Sequence, residues 1–242
     1  MTGGSAYASS RPTYPEALAD FLADTCEKTE HALDVGCGSG QLSVLLANRF
    51  DLVTATDPSE EQLKSAKAHP RVTYKREAAE QISLPDDSVD LVTAAQAAHW
   101  FDLETFYDEV RRVARTGAVL SLISYGVPEM DGTVGELLKA FYWQDIYSHW
   151  PAGRRHVEEG YQSLEFPFAE QKLPPLTITR TWSKAELLAY MSTWSAVKRA
   201  ETAGNGKVFD RFCSELDLVW PELDHLEMIN WPIVGRLACV DT

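Results

Sequence analysis

Short apolar runs alternate with amphipathic stretches through the first half of the chain. Ala32-Leu33-Asp34-Val35, Leu52-Val53-Thr54-Ala55-Thr56, Val72 to Lys75, Leu91-Val92-Thr93-Ala94-Ala95 and Ala118 to Ser124 are short and rich in small or β-branched residues, the pattern of buried strands. The spacing between them predicts helices over Gln41 to Ala47, Glu60 to Ala68 and Leu103 to Ala114. An earlier helix is predicted over Glu16 to Cys26, with Pro15 suited to its first turn and Leu18, Phe21 and Leu22 on one side. Strands that alternate with helices argue for a parallel, doubly wound sheet.

The rhythm changes after Tyr125. Residues 126–175 show no strand–helix alternation but hold Phe141, Tyr142, Trp143, Tyr147, Trp150, Tyr161, Phe166 and Phe168. This stretch reads as a mostly helical cap over the ligand edge of the sheet. Leu176 to Trp182 reads as a strand, and Ser183-Lys184-Ala185-Glu186 is a capping box that opens a helix to Tyr190 or beyond. A further helix is predicted over Lys207 to Val219, then a final strand, Ile229 to Val240, interrupted by Pro232. The fold class expected is α/β: a doubly wound, mostly parallel seven-stranded sheet with a helical cap after strand five. The 242 residues suit a single domain. Its parts are an N-terminal arm and helix (1–30), a cofactor core (31–125), the cap (126–175) and C-terminal strands and helices completing the sheet (176–242).

Charge narrows the partners. With 36 acidic against 22 basic residues the formal net charge is −14. A nucleic-acid backbone or an anionic membrane surface would be repelled without a local basic cluster, and Arg111-Arg112 and Arg154-Arg155 are only pairs. Cys26, Cys37, Cys213 and Cys239 show no CxxC or zinc-ligand spacing and read as small buried hydrophobes in a reducing compartment, so no metal is expected. Residues 1–10 lack the apolar core of a signal peptide, and no run reaches the ~18 apolar residues of a membrane span; the expected location is the cytoplasm.

Candidate chemistry centres on Asp34-Val35-Gly36-Cys37-Gly38-Ser39-Gly40, a strand end that breaks into a glycine loop before a helix. Glycines allow a tight turn and a close ligand approach, and a helix start suits an anionic group. A dinucleotide fingerprint would need a small residue where Gln41 stands, so the spacing here is G-x-G-x-G. Asp57, at the tip of the second strand, can accept both ribose hydroxyls of a nucleoside or can cap the helix that follows. Gln96 to Phe101 leave the fourth strand on the side where open α/β sheets bind ligands. The arm from Tyr7 to Pro15, with Tyr7, Arg11 and Tyr14, is either a lid or a helix lead-in with surface aromatics.

The ordered set Asp34-x-Gly36-x-Gly38-x-Gly40, Asp57, Ala79-Glu80…Leu84-Pro85…Ser88-Val89-Asp90 and Arg112-Val113…Gly117 resembles the class I S-adenosylmethionine (SAM)-dependent methyltransferases of the methyltransferase type 11 kind. Tyr7-x-x-x-Arg11-Pro12-x-Tyr14-Pro15, Ala98-His99-Trp100-Phe101-Asp102 and Thr193-Trp194-Ser195-Ala196 resemble, more narrowly, the trans-aconitate methyltransferase group, which methylates small molecules, often acids. The resemblance implies SAM as cofactor. Gly36 and Gly38 would line its methionine part, with Asp34 and Cys37 also among the cofactor-binding residues; Asp57 would hold the ribose; Pro58 and the backbone of Ala79 and Glu80 would meet the adenine; and the Ala95–Gln96 turn would lie beside the sulfonium. Many relatives carry an aspartate where Ala78 stands, so Glu77, Glu80 or the backbone with a water must substitute.

The implied reaction is an in-line methyl transfer, in which alignment supplies much of the catalysis. Trp100 and Tyr7, then Trp143, are candidates for the sulfonium's surroundings, against the alternative of plain packing. A carboxylate acceptor needs only capture, suited to an arginine: Arg11 first, then Arg154, Arg155, Arg180 and Arg199, each with a solvated surface charge as the alternative reading. An alcohol, phenol or amine acceptor would gain from a base, with His99 first and His149 and His156 behind it. The site set is thus His99, Arg11 and Tyr7 as catalytic candidates and Tyr14, Trp143 and Arg154 as acceptor-binding candidates. The expected function is methyl transfer to a small molecule, at a carboxylic acid oxygen. Rival readings are methylation of a hydroxyl or nitrogen, a nicotinamide oxidoreductase and a non-catalytic SAM sensor.

Overall fold

The computed structural model describes residues 12–220 and 225–240. The chain enters through α1 (Glu16–Thr25), which buries Leu18, Ala19, Leu22 and Ala23 against the sheet. There follow β1 (His31–Val35), α2 (Gln41–Leu46), β2 (Leu52–Thr56), α3 (Glu60–Lys64), β3 (Val72–Lys75), β4 (Val89–Ala95), α4 (Leu103–Val113) and β5 (Ala114–Tyr125). The five strands pair in parallel in the order β3-β2-β1-β4-β5. β4 is buried along nearly its whole length, as a strand covered on both faces must be. Side chains of neighbouring strands sort by period two: Leu91, Val119 and Ile123 join the core on one face, and Val92, Leu120 and Leu122 that on the other.

After β5 the chain forms α5 (Gly132–Ala140), a π-helical turn over Phe141–Ile146, a 3-10 turn over Tyr147–His149 and α6 (Arg154–Glu158). It then contributes β6 (Glu170–Gln171), β7 (Leu176–Ser183), α7 (Lys184–Ser192), α8 (Ser195–Thr202), α9 (Lys207–Val219) and β8 (Leu226–Cys239). The capping box stands as its spacing predicts, with Ser183 and Glu186 bonding each other's backbone N–H. The sheet has eight strands rather than seven, because the two-residue β6 adds to the edge of β8. β8 runs antiparallel to β5 through Ile233–Cys239 and to β7 through Leu226–Ile233.

Pro232 does not interrupt this last strand. It sits where β8 passes from β7 to β5, opposite Thr177, and its carbonyl accepts the Gly126 N–H at 2.9 Å. A proline is tolerated where the ladder asks for its acceptor alone. The segment after β5 is tied to the sheet by Ser124 Oγ, which donates to the Val157 carbonyl at 2.7 Å. Arg236 adds a second tie, donating to the Leu164 carbonyl at 2.9 Å and pairing with Glu170 at 2.8 Å.

Candidate active site

The strand order reverses between β1 and β4, and a cleft opens beyond their carboxyl ends. It is lined by Asp34, Gly36, Cys37, Gly38, Ser39, Gln41 and Leu42 on one side and by Ala95, Gln96, Tyr125, Tyr14 and Gln62 around the rest. This is the crevice in which open α/β sheets hold ligands. Gly36 has φ +68°, and a Cβ there would lie 2.5 Å from that of Ala97, so only glycine lets the loop pass so close to the β4 exit. The loop is pinned to β2: Cys37 N–H donates to the Thr56 carbonyl at 2.9 Å, and Gly38 N–H to Asp57 Oδ2 at 2.9 Å.

Asp34 is buried behind the loop. Ser43 Oγ–H donates to its Oδ2 at 2.6 Å and Thr93 Oγ1–H to its Oδ1 at 2.9 Å. Burial pushes its carboxyl up to about 6, with the two hydroxyls pulling the other way. Asp57 does not cap α3. That role belongs to Ser59, whose side chain accepts the Gln62 N–H. Asp57 Oδ1 instead accepts the Ser59 N–H at 2.8 Å, leaving each carboxylate oxygen with a lone pair to spare. Pro58 is exposed beside it, and Ala79 is buried. Both acids near Ala78 are engaged elsewhere: Ser83 Oγ–H donates to Glu77 at 2.5 Å, and Glu80 accepts the Asp102 N–H at 2.9 Å.

The chain leaves β4 through a constrained turn. Gln96 holds φ +58°, a region that a non-glycine residue occupies at a cost. His99 follows in a 3-10 turn, stacked on Tyr161 with ring centroids 6.1 Å apart and its Nδ1 3.4 Å from the Tyr161 hydroxyl. Burial, then the nearby Arg154 cation, pushes its imidazole down to about 4, so it is neutral at pH 7 and weakly basic.

Beyond His99 lies Arg154. Its Nε donates to the Tyr142 hydroxyl at 2.8 Å and lies 3.4 Å from Glu158 Oε1. Its guanidinium carbon sits 4.6 Å from the Trp150 ring centroid and 5.8 Å from that of Tyr142. Tyr142 and Tyr147 both donate their hydroxyls to Glu158. Burial opposes the charge on Arg154, but the oxygens of Tyr142 and Glu158 outweigh it and raise its pKa above the ordinary arginine value. The two terminal nitrogens make no hydrogen bond among the described residues.

Other candidates fall elsewhere. Trp100, expected near the sulfonium, is 73% exposed and leans on His99 outside the cleft, because the 3-10 turn directs it outward. Trp143 is half exposed and lines a second cavity rather than the cleft. Arg155 pairs with Glu159 on the surface, Arg180 donates to the Thr13 carbonyl, and Arg199 is exposed. His149 bonds Asn205, and His156 bonds Ser163. Tyr7 and Arg11 lie outside the described residues.

A methyltransferase-domain family profile matches residues 33–122. A Dictyostelium discoideum protein named as a methyltransferase is 32% identical over 239 residues, covering 96% of this chain and 91% of its own length. The chain belongs to the class I SAM-dependent methyltransferases. A solved Anaeromyxobacter dehalogenans structure, assigned as a type II methyltransferase, shares 41% identity with this methyltransferase. It covers 96% of this chain and 98% of its own at a TM-score of 0.90. An Anabaena variabilis structure from an antibiotic biosynthesis pathway shares the fold at 20% identity and a TM-score of 0.58, covering 93% of this chain and 99% of its own.

No described helix of the methyltransferase is long and apolar enough to cross a membrane. The family implies SAM, and the cleft residues fit it: the turn at Gly36 admits no side chain, and Asp57 keeps free acceptor capacity beside it. Sequence reasoning missed Tyr142, Glu158 and Trp150 as the partners of Arg154. The i, i+4 spacing of Arg154 and Glu158 was the available signal.

Proposed function

We propose that this methyltransferase binds SAM in the glycine-loop cleft and methylates a carboxylate oxygen of a small-molecule acid. Bound SAM supplies a methyl group already activated on a sulfonium. The roles then proposed are Gly36, Cys37, Gly38 and Asp34 of the cleft at the methionine end, Ala95 and Gln96 of the cleft at the reacting centre, and, beyond its lining, Asp57 at the ribose and Pro58, Ala79 and Glu80 near the adenine. Four free thiols fit a reducing, cytoplasmic setting.

One observation carries the acceptor: Arg154 is a largely buried cation whose terminal nitrogens have no hydrogen-bond partner among the described residues, set in rings a short step from the β4 exit. A guanidinium fork suits a carboxylate, and its aromatic surroundings exclude water. His99 agrees with this. Held neutral beside a cation, it is a poor base, and a carboxylate acceptor needs none. Tyr14, buried in the cleft wall, would take the acceptor side.

Arg154→Ala and Arg154→Lys test the reading. Loss of charge-assisted hydrogen bonds worth ~1.5–3 kcal/mol lowers kcat/KM for acids ~10- to 150-fold in the alanine variant, less in the lysine variant, with S-adenosylhomocysteine affinity unchanged. An equal loss on phenols and amines would place Arg154 in the scaffold instead.

A further inference from the structure

Glu158 joins two spaces. One turn along α6 it meets Arg154, and its side chain also lines a cavity of about 580 Å³ that opens beside Gly126, where the chain leaves β5 next to the cleft residue Tyr125. The walls of that cavity include Val127, Pro128, Met130 and the exposed Trp143. Arg154 itself does not line the cavity, but its partner Glu158 does, so an acid on the Arg154 fork would have this apolar wall beside it for its body.

The charges around that space are lopsided. Glu158 is itself 8% exposed and balances Arg154, so a captured carboxylate already leaves the pair with one net negative charge. Glu129, Asp131 and Glu136 also line the cavity, against Lys139 as its lone cation among the described residues. A second carboxylate carried into this cavity would lose water beside a buried acid and three further acids, with the exposed Lys139 alone to offset them. Discrimination of this kind comes from an unfavourable contact for the wrong ligand as much as a good one for the right ligand.

We infer that the acceptor is a monoanionic acid with an apolar body, and that Glu158 acts as a specificity-determining residue by rejecting a second carboxylate. The inference rests on the carboxylate reading of Arg154.

The test uses matched acids with the full chain and radiolabelled SAM: octanoic acid, octanedioic acid and its monomethyl ester, with phenylacetic and 1,4-phenylenediacetic acids as a second pair. The monoacids and the monomethyl ester are methylated with kcat/KM at least ~10-fold above the diacids, a difference of ~1.4 kcal/mol. Glu158→Gln narrows that ratio severalfold, a change that a merely structural role would not produce. Glu136→Lys, on the exposed rim, favours the diacids in the same direction and decides the matter if Glu158→Gln fails to fold. Diacids used within twofold of monoacids, or a ratio unmoved in a folded Glu158→Gln, overturn the inference while leaving the carboxylate reading standing. No methylation of any of these acids by a protein that binds S-adenosylhomocysteine overturns both.

Discussion

At the scale of single residues, burial shifts two ionisable groups in opposite senses. His99 has its imidazole pushed down to about 4 in the fold, against 6.5 unperturbed. Below pH 6.5 the unfolded chain therefore binds a proton that the folded chain refuses, and stability falls as the pH drops from about 6.5 to about 4. Asp34 works in the opposite sense. Raised to about 6 from 3.8, it takes a proton in the fold before the unfolded chain does, so its contribution grows as the pH falls through 6. In a Tm series from pH 7.5 to 4.5, a His99→Gln variant should lose less stability than the wild type across the acid range. Parallel curves would show that His99 titrates freely. Neither shift could be read from sequence, because both come from burial that the tertiary packing creates.

At the scale of elements, local chemistry was legible wherever a short-range rule decides the outcome. Ser183 with Glu186 fixed the start of α7, and the apolar pattern of Lys207 to Val219 fixed α9. The helix over Glu60 stops at Lys64, where Ser65 turns its hydroxyl back onto the Gln62 carbonyl, rather than continuing to Ala68. Ser183→Ala should remove one cap bond at a cost of ~1 kcal/mol, lowering Tm by roughly 2–4 °C in a chain this long. A calorimetric scan checks it, and an unchanged Tm would mean that β7 alone positions the helix. Less legible was α6. Arg154 and Glu158 share a five-residue helix with weak local signals, and the rings that give their pairing its meaning come from Tyr142, Tyr147 and Trp150, outside that helix.

For the whole molecule, the glycine loop, the tip of β2 and the exit of β4 meet only because the parallel sheet brings their carboxyl ends side by side. The order of motifs in the sequence anticipated this meeting of loop and strand ends. The proposed acceptor side depends on how the segment after β5 is tied back to Ser124 and His99 through Val157 and Tyr161, which no spacing rule encodes. Ligand-dependent unfolding probes the cofactor half directly. At about 100 times its dissociation constant, S-adenosylhomocysteine should add ~2.7 kcal/mol, a Tm rise of roughly 5–10 °C, while NAD adds nothing. A rise with NAD alone would overturn SAM as the ligand of this cleft.

The place of β8 has a consequence for synthesis. It is the last described strand in the sequence, yet it lies inside the sheet, between β5 on one side and β6 and β7 on the other. A ribosome delivers β5 more than a hundred residues before its partner. Until residue 239 has cleared the exit tunnel, an apolar strand from Ala118 to Tyr125 waits with its edge open, the sort of edge that invites pairing with another chain. Nascent chains stalled short of β8 should therefore be the form that chaperones hold and proteases clear, and a premature stop before Leu226 should yield aggregate rather than a weakened enzyme.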